Sequence, residues 1–438
     1  MSSPSNMTDG SSTAHLYRPK IVTVLGEGYR GDDFRKDALA ALTVAIVALP
    51  LSMAIAVASG VGPERGLYTA IVGGFIVSAL GGSRFQIGGP AGAFIVLVSS
   101  TVASYGVEGL LATVFLSGVL LTVMGLLRLG ALIRFIPHAV TVGFTGGIAT
   151  TILASQLRDF VGLTLAAREP GPLFPKLAAL FQALPTCNVF ALGLGAGCTA
   201  MIFALRRWRP NWPSLLIAVI GASVAAFLMH LPVETIGSRF GDIPSNLPAP
   251  ALPRLEGSLL IRVLPVAFSF TMLGGIESLL SAKVADSMTG RKHRYNMELV
   301  AQGVANVASA LFGGISVTGT IARTATNVRA GARSPVSGML HAVFLLAFML
   351  IAAPLARFIP LAVLAGVLVV VSWNMAEKKE FLLLLRRWRT AIVLIATFGL
   401  TLTVDLTTGI VTGCVLAGLL ALADRYGHRA DESRPTHP

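Results

Sequence analysis

One carboxylate lies inside a stretch of the chain that is otherwise apolar or small. Glu277 falls in the middle of residues 272–280, with Ser278 beside it and Ser281 four residues on, on the same helical face. A carboxylate at membrane depth is costly, which by default indicates function. We predict that Glu277, with Ser281, couples an ion; the alternative is a glutamate that packs between helices or extends toward headgroups. The hydroxyls of Ser278 and Ser281 fit a role in ion coupling and ordinary interhelical hydrogen bonding equally well.

Two glycine-rich segments occupy corresponding positions in the two halves of the chain, at residues 80–94 and 311–323. In each, a Gly-Gly pair closes an apolar run, and a short β-like stretch leads through small residues into a short apolar helix. We predict that extended backbone enters the membrane from each side and meets a half-helix near the midplane. Two facing helix N-termini offer unpaired N–H groups and positive dipole ends, which favour an anion. The alternative is loop glycines between ordinary helices.

Arg323 falls one turn into the second half-helix if that helix begins near Thr320. Its guanidinium could then contact the anion or pair with Glu277, unless it extends toward headgroups.

Two further groups of polar residues receive a structural interpretation. Lys283 and Asp286 are expected to form an interfacial pair at the end of the Glu277 span. His138 and His341 have no acidic or cysteine partner at ligand spacing, so we interpret them as packing or gating residues.

The elements that must position these residues are apolar runs of membrane-spanning length. We predict an all-α polytopic membrane protein, because a spanning helix satisfies its own backbone polar groups and no dyad alternation indicates a β-barrel. The predicted spans are 38–58, 67–82, 91–105, 109–128, 133–156, 189–205, 213–231, 262–283, 296–313, 320–330, 336–356, 360–374, 389–404 and 406–424. Fourteen spans divide into two groups of seven, and an odd number inverts the second half relative to the first.

Lysine and arginine residues concentrate in every second connection. The rich connections carry Arg128 and Arg134; Arg206, Arg207 and Arg209; Lys283, Arg291, Lys292 and Arg294; Arg329 and Arg333; and Lys378, Lys379, Arg386, Arg387 and Arg389. The opposite connections carry Arg158, Arg168, Lys176, Arg239, Arg254 and Arg357 over longer stretches. This alternation predicts cytoplasmic N- and C-termini, and all four tryptophans fall at span ends, where indole rings favour the interface. Asp405 is interpreted as a solvated loop carboxylate.

Composition excludes several other classes of protein. The chain of 438 residues is 54% hydrophobic and 13% charged, whereas soluble domains are about a quarter charged. The net charge of +13 sits in short clusters between apolar runs, without the basic stripe of a nucleic-acid-binding protein. The three cysteines match no metal site or disulfide framework, no apolar region near the N-terminus resembles a signal peptide, and no phosphate-binding loop predicts ATP hydrolysis. We expect no cofactor and no metal.

Taken together, the motifs resemble those of the sulfate permease (SulP) family of anion transporters, over about residues 34–424. The most specific stretches are 49–54, 66–68, 81–84, 88–92, 275–280, 296–299 with Gln302 and Gly303, and 313–330. The resemblance implies a seven-plus-seven inverted repeat. Its core would comprise about 37–129 and 262–357 and its gate about 130–231 and 358–424, flanked by cytoplasmic segments 1–36 and 425–438. Many relatives carry a C-terminal STAS domain, which is expected to be absent from this chain, by truncation or by nature.

Carried over by position, the resemblance also implies an anion site between the third and tenth spans. Its residues would be Leu51, Ile55, Ala91, Gly92, Ala93, Gly319, Thr320, Ile321 and Arg323, with Glu277 from the eighth span. Sodium-coupled bicarbonate relatives place an Asp where Glu277 stands and a Thr where Ile321 stands, and the loss of a hard oxygen ligand weakens a Na⁺ site. The chain is also similar to bacterial C4-dicarboxylate permeases of the family.

The resulting expectation is a secondary active transporter in a bacterial inner membrane, not an enzyme. It would carry sulfate, bicarbonate or a C4-dicarboxylate with a proton, by an elevator-like movement. An anion exchanger, a channel-like conductor and Na⁺-coupled bicarbonate uptake are the alternatives. A homodimer in the lipid bilayer is expected, and no nucleic acid.

Overall fold

The structure is a computed structural model. It describes residues 17–130, 137–166, 169–170, 173–210, 212–404 and 406–432. The first half contains α1 Lys20–Gly26, α2 Gly31–Ala58, α3 Pro63–Tyr68, a π-helical turn Thr69–Gly73, α4 Gly74–Leu80, β1 Gly88–Gly89, a 3₁₀ turn Gly92–Phe94, α5 Ile95–Leu126, α6 His138–Val161, α7 Leu173–Gln182, a 3₁₀ turn Leu184–Thr186, α8 Val189–Trp208, α9 Ser214–Leu228 and α10 Ile236–Phe240. The second contains α11 Gly257–Thr289, α12 Tyr295–Leu311, β2 Thr318–Gly319, α13 Ile321–Arg329, α14 Val336–Ala356, α15 Leu361–Met375, α16 Lys378–Leu385, α17 Trp388–Thr403 and α18 Leu406–Glu432.

Each of the fourteen predicted spans coincides with helix in its described part, apart from a few residues at span ends, so the all-α polytopic fold is confirmed. Seven helical segments among the described residues are long and apolar enough to cross a membrane, and one of them, Leu361–Leu385, comprises both α15 and α16. The others are short, broken or less apolar. The spans predicted at 91–105 and 109–128 fall mainly on one helix, α5, and are separated at Gly106, whose φ of 70° interrupts it. The predicted residues Arg134, Arg168 and Asp405 lie outside the described residues.

In the described part of the chain, three short helices lie between the predicted spans and were not predicted, namely α7, α10 and α16. Among them, α7 exposes Phe174 and Phe181, and α16 exposes Leu382 and Leu383. Apolar side chains exposed on short helices between spans are typical of helices that lie along a membrane surface. Their length, about ten residues or fewer, is why a search for spanning segments passes over them.

The helices form two groups by their packing. A first bundle comprises α2 to α5 and α11 to α14; a second comprises α6, α8, α9, α15, α17 and α18. The bundles meet where α2 contacts α9 and α15, and where the start of α5 contacts α6.

The N-terminal segment is bonded to one end of the first bundle. The Lys20 N–H donates to the Gly81 carbonyl at 2.9 Å, and Arg84 forms a bidentate ion pair with Glu27. The Arg84 hydrogen bond holds the pKa of the Glu27 carboxyl below its usual range. These contacts fix residues 20–27 against the turn that follows α4.

The end of α11 is also fixed at this face, but not as predicted. The Asp286 carboxylate lies 2.6 Å from the His293 Nδ1 and accepts the His293 N–H at 3.1 Å. No pair with Lys283 forms among the described residues, so that prediction is wrong. The αL conformation of Gly290 ends the helix and turns the chain so that His293 reaches Asp286.

Close backbone contact joins α5 to α12 in the first bundle. A Cβ at Gly303 would lie 2.5 Å from the Gly118 carbonyl oxygen, and one at Gly118 would lie 2.7 Å from the Gly303 carbonyl oxygen. In lipid, small residues at such crossings stabilise helix pairs, because the packed backbones gain van der Waals contact that lipid tails do not replace.

We predict that Gly303→Leu strongly destabilises the protein, because its side chain must separate two packed backbones. The expected cost is about 3 kcal/mol or more. Gly193→Leu is the matched control, because a Cβ there meets nothing within 4 Å. Thermal denaturation in detergent should show a large fall in Tm for Gly303→Leu and little change for Gly193→Leu. Equal Tm values would contradict the packing account.

Candidate anion-binding site

A two-stranded crossing at the centre of the first bundle joins the two halves of the chain. Gly88 and Gly89 of β1 pair antiparallel with Gly319 and Thr318 of β2, respectively. The Thr320 N–H extends the ladder by donating to the Ile87 carbonyl at 3.0 Å. Because the strands are antiparallel and each leads into a helix, the two helices depart in opposite directions and their N-termini flank the crossing.

The two N-termini present free backbone donors. Gly92 opens a 3₁₀ turn that continues into α5, with extended Ala91 before it; Thr320 likewise precedes α13. The first N–H groups of a helix have no partner within it. Ile321 is 36% exposed at the start of α13, so this N-terminus is open to a ligand. The predicted pair of half-helices is therefore present.

Small and apolar side chains line the remainder of this region. Ala91 and Ala93 are buried beside the first N-terminus, and Leu51 and Ile55 are buried on α2. A Cβ at Gly92 would meet only the Ile152 Cδ1 of α6, at 3.5 Å. The first N-terminus thus faces the second bundle.

The helix α11 runs along the crossing and holds it with three hydroxyl contacts. Ser278 Oγ accepts from Gln86 Nε2 at 2.7 Å, Ser281 Oγ lies 3.0 Å from Thr324 Oγ1, and Thr318 Oγ1 donates to the Gly274 carbonyl at 3.3 Å. Both serine side chains therefore contribute to helix contacts, the structural alternative left open by the sequence.

Glu277 differs from its neighbours because its carboxylate is not engaged. It lies between Ile276 and Ser278 on the part of α11 that contacts the crossing, and its side chain is half-buried. Its Oε2 atom is buried and has no hydrogen-bond partner among the described residues. An unengaged carboxyl on the helix that contacts the crossing is free to change protonation without breaking a structural bond.

Arg323 supplies positive charge from behind the crossing. Its side chain is 2% exposed, and its Nη2 donates to Ser52 Oγ at 3.1 Å and to the Pro90 carbonyl at 3.4 Å. Within the described residues it forms no ion pair with Glu277, so that predicted pair is absent. The side chain leaves the buried face of α13 toward α2 and β1, which carries it away from α11.

Several residues that build the site were not predicted as functional. Gln86, Ser52 and Thr324 contact the crossing or Arg323, and the signal that could have identified them is a polar residue in an apolar segment. Among the described residues, no group of three His, Cys, Asp or Glu side chains could hold a metal ion.

Comparisons with known proteins confirm the family that the sequence motifs resemble. The model of the sulfate permease family matches residues 34–399. The chain belongs to the sulfate permease family. It is 42% identical to YvdB of Bacillus subtilis (strain 168), which carries the provisional name of sulfate transporter. The match covers 94% of this chain and 78% of the relative. It is 31% identical, over 89% of its length and 70% of the relative's, to the bicarbonate transporter BicA of Picosynechococcus sp..

Two solved structures have the same fold. The transmembrane domain of a cyanobacterial bicarbonate transporter BicA superposes with a TM-score of 0.78 at 30% identity, covering 89% of this chain and 98% of that one. The murine Solute Carrier 26 family member A9 anion transporter, solved in its inward-facing state, gives 0.85 at 17% identity, covering 96% and 74%; this second likeness shows the fold alone. Like other sulfate permease family members, the chain is a multi-pass membrane transporter of anions and not an enzyme.

Two glycines at this site differ in the space available to an added methyl group. A Cβ at Gly89 would lie 2.2 Å from Arg323 Nη1, whereas one at Gly92 has space. We predict that Gly89→Ala displaces the guanidinium and raises the Kd for the transported anion about tenfold, on the scale of one charged hydrogen bond. Gly92→Ala should lower Tm less than Gly89→Ala does. Isothermal titration and thermal denaturation measure the two effects; an unchanged Kd for Gly89→Ala would show that the position of Arg323 is unimportant.

Proposed function

We propose that this protein is a proton-coupled symporter that takes up a small oxyanion or C4-dicarboxylate across a bacterial inner membrane. The anion binds between the N-termini at Gly92 and Ile321, in the field of Arg323, and Glu277 carries the coupling proton. The single observation that carries the proposal is the unengaged Glu277 carboxylate on α11, the helix that contacts the paired strands leading into the two helix N-termini.

Anion binding follows from the donors at the crossing. Backbone N–H groups at a helix N-terminus bind oxyanions, and the helix dipole adds positive potential. Arg323 is fully buried, so its field is poorly screened by water. These terms are independent of the shape of the anion, which fits a site whose apolar walls, Leu51, Ile55 and Ile321, add few specific hydrogen bonds.

Proton coupling follows from the sign of the Glu277 charge. An ionised carboxylate beside the site repels an anion, and a protonated one does not. Anion binding therefore favours protonation of Glu277, and protonation favours anion binding by the same factor, as linkage requires. A carrier that moves with both bound, or with neither, couples the anion to the proton gradient.

The oxygen atoms around Glu277 argue against Na⁺ as the coupling ion. A Na⁺ site needs several hard oxygen ligands. Ser281 is hydrogen-bonded to Thr324, and Ile321 places a hydrocarbon side chain at the exposed start of α13. A proton needs only the single carboxyl that is present.

An elevator-like movement of the first bundle against the second would carry the site across the membrane. The first bundle would act as the core and the second as the gate. The Ile236 N–H donates to the Ile359 carbonyl and the Gly237 N–H to the Arg357 carbonyl, each at 2.9 Å. These bonds fix the connection between α14 and α15 to the start of α10, so bending would occur before Arg357. Cytoplasmic termini follow from the alternation of lysine and arginine.

Glu277→Gln should lower the initial rate of uptake driven by a pH gradient tenfold or more. The rate of anion exchange should stay unchanged. Amide and carboxyl have similar shapes, but the amide takes up no proton. Uptake of labelled sulfate, bicarbonate and succinate into proteoliposomes measures both activities. Glu298→Gln is the control, because that buried carboxylate accepts the Ser83 N–H at 2.9 Å and its amide can still accept.

The same vesicles separate proton coupling from its competitors. Full pH-driven accumulation by Glu277→Gln, or uptake that requires Na⁺ and ignores pH, would contradict the proposal. Current without saturation by substrate would indicate an anion channel instead.

Cross-linking tests the movement. In a variant lacking Cys187, Cys198 and Cys414, cysteines at Gly92 and Ile152 should stop transport when joined by a short thiol reagent, and reduction should restore it. The control joins cysteines at Ser117 and Thr271, both in the first bundle, whose hydroxyl oxygens lie 3.2 Å apart. Undiminished transport after complete cross-linking of the first pair would exclude relative movement at this contact.

A further inference from the structure

The Arg323 guanidinium has donors that its known contacts do not use. Nη2 bonds to Ser52 and Pro90, but Nε and Nη1 are buried without a partner among the described residues. A buried charged donor without an acceptor costs more than an ordinary hydrogen bond contributes. The guanidinium is therefore held by less than half of its five N–H groups.

His341 on α14 carries the complementary unsatisfied groups. Its side chain is completely buried, and neither ring nitrogen has a partner among the described residues. A neutral imidazole offers one acceptor and one donor. The helix lies close to the crossing here, since a Cβ at Gly338, three residues before His341, would lie 3.2 Å from the Ile87 Cδ1.

The register of two helices brings these side chains toward each other. Helices α13 and α14 are joined by residues 330–335 and tied together where Asn327 Nδ2 donates to Ser337 Oγ at 2.9 Å. Because only residues 330–335 join the two helices and Asn327 contacts Ser337, we infer that they run in opposite directions. One turn before Asn327 is Arg323, and one turn after Ser337 is His341, so these two form the next facing pair toward the crossing.

We propose that His341 is the positioning residue for Arg323, accepting a guanidinium N–H through a bridging water molecule. The two groups form no direct hydrogen bond, and a water molecule between facing polar groups satisfies both at little cost. This bridge, together with Ser52 and Pro90, keeps the guanidinium directed at the back of the half-helix N-termini. The inference rests on the anion site of the proposed function but not on its coupling ion.

The expected consequence is a change in anion affinity and not in turnover. Without its acceptor the guanidinium turns away, and the positive field at the N-termini falls. The KM for the anion should rise while kcat changes little, because Arg323 touches neither Glu277 nor the contact between Gly92 and Ile152.

The experiment compares His341→Leu with His341→Gln by equilibrium exchange in proteoliposomes, using whichever of sulfate, bicarbonate or succinate the unmodified protein carries. Exchange needs no driving ion, so it remains measurable if proton coupling fails. His341→Leu should raise KM about tenfold, the scale of one hydrogen bond to a charged group. His341→Gln, which keeps a donor and an acceptor, should stay within about threefold. Val343→Leu, at a residue 48% exposed on the same helix, is the control.

A double-mutant cycle distinguishes positioning from simple packing. In an Arg323→Gln background, His341→Leu should change KM less than about twofold, because its effect passes through the guanidinium. If Arg323→Gln does not fold, Arg323→Lys serves as the background, since Lys lacks the planar fork. Equal KM values for His341→Leu and His341→Gln would overturn the proposal. So would a tenfold rise in KM on adding His341→Leu to the Arg323→Gln or Arg323→Lys variant.

Discussion

Extended backbone inside a membrane must have every N–H and C=O satisfied by protein, and this constraint determines how the two halves assemble. Asn306 meets it for the segment before β2, where its Oδ1 accepts the Val317 N–H at 2.9 Å and its Nδ2 donates to the Val317 carbonyl at 2.8 Å. Thr69, from the other half, accepts the Ile315 N–H at 2.7 Å. The segment before β1 is satisfied by the second half in return, through Thr324, Asn327 and Glu298. Neither half can therefore form its extended segment alone.

This mutual satisfaction also explains why the site is rigid. Glycines let the elements approach closely: a Cβ at Gly73 would lie 2.2 Å from a Val317 methyl group, and one at Gly319 would lie 1.7 Å from Gln86 Nε2. A crossing fixed at this density keeps the two helix N-termini in one geometry, so the donors need no rearrangement when an anion binds. Movement must then occur between bundles and not within the crossing.

The sequence was sufficient to predict the all-α polytopic fold and the paired half-helices, because hydrophobic length and paired Gly-Gly breaks are local signals. It was insufficient for side-chain direction. Arg323 was expected at the anion or at Glu277, and the structure directs it toward Ser52, since the buried face of a nine-residue helix depends on what packs there. The Asp286 contact with His293 depends on a turn at Gly290, and the surface helices α7 and α16 are too short to give a spanning signal. Contacts between distant segments, such as Gln86 with Ser278, leave no pattern in one sequence.

The most direct test of the central claim is a structure determined with selenate, a heavy analogue of sulfate, bound in competition with the transported anion. The account predicts anomalous density between the N-termini at Gly92 and Ile321, with anion oxygens about 2.7–3.2 Å from their backbone nitrogens. Loss of that density in Gly89→Ala crystals, with the crossing intact, would show that Arg323 supplies part of the binding. Density elsewhere in the molecule, displaced by the transported anion, would contradict the account.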